Sequence, residues 1–179
     1  MDTQKNIVDV LLYFVPALLV LGAMFLLIKN FLDRDYRLKL IEAKQLLQKD
    51  MLPLRLQSYE RLVLFLERIS PSSLLMRTNR PNMTSLQLQS ELLSDIRTEF
   101  EHNLSQQIYM SNPAWEQVKI AKEEIVKIVN TASEKIGPND TAINLSAEIF
   151  ETMLRNDTLP AQKAIDFLKN EVRQLTMQQ

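Results

Sequence analysis

At 179 residues the chain has room for one modest domain and an additional segment. It has no cysteine, which removes disulfides and thiolate metal sites, and only two glycines, Gly22 and Gly137, which disfavours hairpin-rich β and α/β folds. Its 21 basic and 22 acidic side chains sum to a formal charge of −1, which argues against nucleic acid as a partner. The charge is unevenly spread: residues 29–80 are basic and residues 81–179 acidic.

The first element is the apolar segment "IVDVLLYFVPALLVLGAMFLLI", residues 7–28. Its uncharged run from Val10 to Ile28, at about 1.5 Å per residue, matches a hydrocarbon core of about 30 Å. A cleaved signal peptide is disfavoured by the length of the run, a leader with only Lys5, and no small-x-small site before "KNFLDRDYRLK". The expectation is one transmembrane helix over 7–28 behind a short extracytoplasmic tail, 1–6. Lys29, Arg34, Arg37 and Lys39 follow it closely, so the positive-inside rule puts the rest of the chain in the cytoplasm. The same four cations are the candidate contacts to anionic lipid headgroups.

Residues 29–52 form the next expected element, a basic juxtamembrane helix, with Leu40, Leu47 and Leu54 seven apart as a short seam. Pro53 marks a new start or a kink. Residues 53–179 are then expected to form a bundle of about five helices, so the fold class is all-α. The helix over 54–69 is apolar nearly all round, with Tyr59, Leu62, Leu66 and Ile69 as its stripe and Phe65 widening it. Such a helix must be wrapped, by this chain or by a second copy, and Tyr59, Leu62, Phe65, Leu66 and Ile69 are the candidate association residues.

Residues 70–83 read as a loop with two prolines. "TSLQ" at Thr84 offers a capping box for a helix whose stripe is Leu93, Ile96, Phe100, Leu104 and Ile108. Asn112 and Pro113 start the next helix, with Val118, Ile125, Ile128 or Val129, Ala132 and Ile136 inward, and Gly137-Pro138 stops it. A helix over 142–155 is expected to bury Ile143, Ile149, Phe150, Met153 and Leu154, and a last one Ile165, Leu168, Val172 and Leu175. No internal repeat is read.

Catalytic chemistry finds little material. The lone histidine, His102, forms an E-x-x-H spacing with Glu99, but a di-iron carboxylate site needs a second such pair, so the solvated-pair reading is favoured. Trp115 and Tyr109 read as a packing anchor rather than a ligand platform. No P-loop, GxGxxG or zinc spacing occurs. No cofactor, metal or small-molecule substrate is expected.

The strings "LPLRLQSYERLVLFLERISP", "EHNLSQQIYMS" and "AIDFLKNEVRQL" resemble a family of uncharacterised bacterial single-pass membrane proteins. The resemblance implies an N-terminal anchor, a basic helix and a cytoplasmic helical domain at the inner membrane, with no activity or site residue to carry over. The expected function is therefore a non-enzymatic scaffold or adaptor that binds itself or protein partners there. The alternative is an accessory subunit of a membrane transport or envelope-assembly complex.

Overall fold

The computed structural model describes the backbone of residues 2–155 and 159–177; the side chains of 2–17 and 42–50 lie outside what it describes. Among the described residues the chain is all-α, with no strand beyond an isolated antiparallel bridge between Thr84 and Thr141. The helices are α1 (Asp2–Ile69), α2 (Pro71–Thr78), α3 (Ser85–Asn103), a 3-10 turn (Leu104–Tyr109), α4 (Asn112–Glu134), α5 (Ala142–Arg155) and α6 (Pro160–Met177). Two compact units divide it, Met1–Met51 and Leu52–Gln179.

The described residues of the first unit are helical, and its described apolar side chains from Leu18 to Ile28 are exposed. Among the described residues no helix is long and apolar enough to cross a membrane. The expected span over 7–28 falls partly outside them, in residues 7–17.

Of the two alternatives for Pro53, a new helix does not start there: α1 runs through it. A proline inside a helix forgoes one hydrogen bond and crowds the preceding turn. Here it sits among Met51, Leu52, Leu54, Arg55 and Leu56, all good helix formers, and the helix resumes at once.

In the second unit, Tyr59, Leu62, Phe65, Leu66 and Ile69 are among the largest members of the core, each at most 2% exposed. Their neighbours come from this chain. Phe65 packs on Phe100 of α3 with ring centroids 5.9 Å apart, and the phenol of Tyr59 reaches α6. The expected loop over 70–83 contains α2 instead: Pro71 occupies the first turn, where its missing N–H costs nothing, and Leu74 and Leu75 are buried. Met76, next in sequence, is 89% exposed.

α3 opens on Thr84 with the anticipated capping box, Gln87 N to Thr84 Oγ1 at 3.2 Å and Thr84 N to Gln87 Oε1 at 3.0 Å. Its buried stripe is Leu88, Leu92 and Ile96, but Leu104 and Ile108 are exposed. The chain tightens at Leu104 to three residues per turn, which rotates those side chains off the expected face. α4 buries Val118, Ile125, Ile128, Val129 and Ala132 as expected, with Ser111 rather than Asn112 as its cap, accepting from Ala114 N.

The loops before α3 and α5 pair reciprocally. Ser85 N donates to Asp140 O at 2.8 Å, and Ala142 N donates to Met83 O at 3.0 Å. Each loop reads Pro-Asn-x-Thr, and in each the threonine hydroxyl accepts from the backbone three residues on, Gln87 or Asn144. Beyond them Leu88 matches Leu145 and Leu92 matches Ile149, all buried. A short internal correspondence therefore exists where none was read; four loop residues and a common helical pattern are too brief to register as a repeat.

Candidate functional site

The cations singled out after the apolar segment, Lys29, Arg34, Arg37 and Lys39, are all exposed. With about 3.6 residues per turn, Arg34 and Arg37 share a side of the helix while Lys29 and Lys39 point elsewhere, so the four form a collar rather than a stripe. Lys39 also pairs with Asp35 at 2.8 Å. Lys44 and Lys49, further along, have side chains outside the described residues.

The association set is placed differently from expectation. Tyr59, Leu62, Phe65, Leu66 and Ile69 lie together, but inside the chain's own core. Within that core Phe65 meets Phe100 of α3 and Tyr59 meets Glu171 of α6. α5 shows the converse: Ile149 is buried and Met153 partly so, but Ile143, Phe150 and Leu154, expected inside, are exposed.

A polar cluster closes one end of the core. Tyr59 Oη donates to Glu171 Oε1 at 2.8 Å, while Glu171 Oε2 is buried with no hydrogen-bond partner among the described residues. Arg55 Nε donates to the Tyr109 carbonyl at 3.1 Å. Burial pushes the Tyr59 phenol above its ordinary value, and the hydrogen bond and charge of Glu171 add to this; the Ser111 backbone and Arg55 oppose it. A phenol held protonated in this way suits a structural donor rather than an acid–base group near neutral pH.

Beside Tyr59 runs a groove of about 360 Å³, floored by Leu56, Val63, Leu168 and Val172, with Glu60, Lys169 and Arg173 also lining it. A wider cleft of about 730 Å³ lies between the paired loops, lined by Asn82, Thr84, Asn139, Asp140 and Thr141 among others. Neither assembles a nucleophile beside a base.

Glu99 of the E-x-x-H pair meets Arg68 at 2.5 Å and Arg77 at 3.8 Å, while His102 is exposed. Among the described residues no three His, Cys, Asp or Glu side chains gather as a metal would require. Trp115 stacks on Phe100 at 5.5 Å, and Lys122 Nζ sits 4.6 Å from the centroid of the same ring, a packed aromatic column with a cation over it.

Residues 5–175 match a family of unknown function (DUF7935), and the chain belongs to that family. No curated protein and no solved structure matches the chain.

Proposed function

We propose that the chain is a membrane-anchored helical adaptor, without enzymatic activity of its own, which holds copies of itself or protein partners at the cytoplasmic face of a bacterial inner membrane. The observation that carries this is the uncharged run Val10–Ile28 on helical backbone, followed at once by the collar of Lys29, Arg34, Arg37 and Lys39. Eleven of its residues, Leu18 to Ile28, are described, and every one is exposed. Exposed apolar side chains in that density are stable in lipid and costly in water. A collar of cations suits a helix surrounded by headgroups on all sides.

An accessory-subunit role draws support from the groove beside Tyr59, whose apolar floor and charged lining are the chemistry of a helix-binding site. In both readings the helical domain binds rather than catalyses.

The test is extraction and topology of the full chain. Alkaline carbonate should leave it in the membrane pellet, and a reporter fused behind Gln179 should be active only in the cytoplasm. Release by carbonate, or a reporter active only outside, overturns the proposal.

A further inference from the structure

We propose that the seam between α1 and α6 takes an amphipathic helix of another protein, one with acidic side chains along one flank of its apolar stripe and basic side chains along the other. The groove beside Tyr59 is one part of that seam. A smaller cavity of about 150 Å³ opens further along it, where Glu67 and Ser70, at the end of α1, share the lining with Gln162 and Ile165 of α6. Along α1 the lining positions are 56, 60, 63, 67 and 70, and along α6 they are 162, 165, 169 and 172. Steps of three and four residues keep each set on one face of its helix, so the two cavities belong to a single trough. From Leu56 to Ser70 it runs about 21 Å, room for about four turns of a docked helix.

The charges on its walls select the occupant. Glu60 and Glu67 stand on the α1 side, and Lys169 and Arg173 on the α6 side of the larger cavity. None of the four forms an ion pair among the described residues; Arg173 donates only to Asn170 Oδ1, at 3.4 Å. Arg61 and Arg68, next in sequence to the two glutamates, stand about 100° further round α1, and Arg68 is engaged by Glu99. The trough thus holds an acidic wall and a basic wall apart over the apolar floor of Leu56, Val63, Leu168 and Val172. A helix of mixed sign laid between them brings every wall charge to a partner, whereas a helix of one sign is repelled by one wall. Apolar anchors at i, i+3 or i+4 and i+7 would seat it, as in other helix-in-groove contacts. The trough is short, which sets the contact among the small, transient ones.

This inference rests on the reading of the helical domain as a binder and not on the anchor. Three synthetic helical peptides with the same leucine stripe test it. The first carries glutamates on one flank and lysines on the other, the second glutamates on both, the third lysines on both. Each is titrated by fluorescence anisotropy against the full chain in nanodiscs of neutral phosphatidylcholine, with empty nanodiscs as the blank. The mixed peptide should bind about ten-fold more tightly than either single-sign peptide. Lys169→Glu with Arg173→Glu makes both walls acidic and should move the preference about ten-fold toward the lysine peptide. Glu60→Lys with Glu67→Lys makes both walls basic and should move it toward the glutamate peptide. All four positions are exposed, so helicity should hold; if one pair of substitutions lowers it, the other pair decides.

No binding by any peptide overturns the proposal, as does binding whose preference ignores the wall substitutions. The chain has no cysteine of its own, so Gln162→Cys bearing a benzophenone maleimide reports on the trough in native membranes. It should cross-link to a foreign segment that carries both signs about an apolar stripe, and reversing either wall should remove the adduct. A cross-link between two copies of this chain overturns the foreign occupant. A foreign adduct that survives reversal of the walls overturns the trough but leaves the domain a binder. Labelled chain with no adduct, together with no peptide binding, defeats the binding reading itself.

Discussion

The Tyr59 phenol donates a 2.8 Å hydrogen bond to Glu171 Oε1, tying α1 to α6 inside the bundle. Because burial and the carboxylate raise the phenol's pKa, the folded chain keeps this proton at pH values where the unfolded chain has lost it. The contribution is therefore complete below the ordinary tyrosine value, about 10. It is lost as pH rises through the higher folded value. Thermal melts of the full chain should show stability falling above that point, and Tyr59→Phe should flatten the fall. At neutral pH the same variant should lose about 1 kcal/mol, with Glu171 Oε1 then losing the hydrogen bond from Tyr59.

Thr84 and Thr141 each cap a helix and face one another across the antiparallel bridge. Thr84→Ala and Thr141→Ala should each cost about 1 kcal/mol by urea titration. The double variant should depart from the sum, because both caps rest on the same reciprocal pair of hydrogen bonds, Ser85 to Asp140 and Ala142 to Met83.

Two phenylalanines separate core from surface. Phe65→Ala removes a ring buried between α1 and α3 and should cost about 3–5 kcal/mol of unfolding free energy. Phe150→Ala alters a side chain already in contact with solvent and should stay within about 0.5 kcal/mol. Equal losses for the two would contradict the assignment of their faces.

Local signals in the sequence carried well. The Thr84 capping box and the start of α5 at Ala142 depend on residues a turn apart, and the fold reproduces them. Faces were harder, for a physical reason. α1 beyond Tyr59 and α5 are both apolar on more than one side, and periodicity reveals how many apolar faces a helix has, not which of them meets the rest of the chain. Thus Leu62 and Phe65, read as an interface, fill the interior, while Ile143 and Leu154, read as interior, stand in solvent. α2 was missed because Pro71 signals both a turn and a first helical residue, and only the burial of Leu74 and Leu75 decides between them. Of the polar cluster nothing was legible, since Tyr59 and Glu171 are brought together by the packing of distant helices.

Glu148 supplies the acid counterpart to Tyr59. Its carboxylate meets Lys135 Nζ at 2.6 Å and Arg155 at 3.8 Å, joining α5 to the residue that follows α4. The hydrogen bond from Lys135 is the main cause holding its pKa below the ordinary carboxylate value; the charges of Lys135 and Arg155 and a contact from Thr152 add to it against some desolvation. A depressed folded pKa means that the unfolded chain takes up the proton first as pH falls. The stabilising contribution is thus present above the ordinary carboxylate range and disappears as pH drops through the lowered value. Glu148→Gln should reduce the melting temperature slightly at pH 7, and the difference should vanish at an acid pH below the lowered value, where the parent carboxylate is protonated as well. High salt should narrow the pH 7 difference, because Lys135 and Arg155 remain open to solvent. A Gln variant with the same deficit at both pH values would show that shape at position 148, rather than charge, sets the contribution.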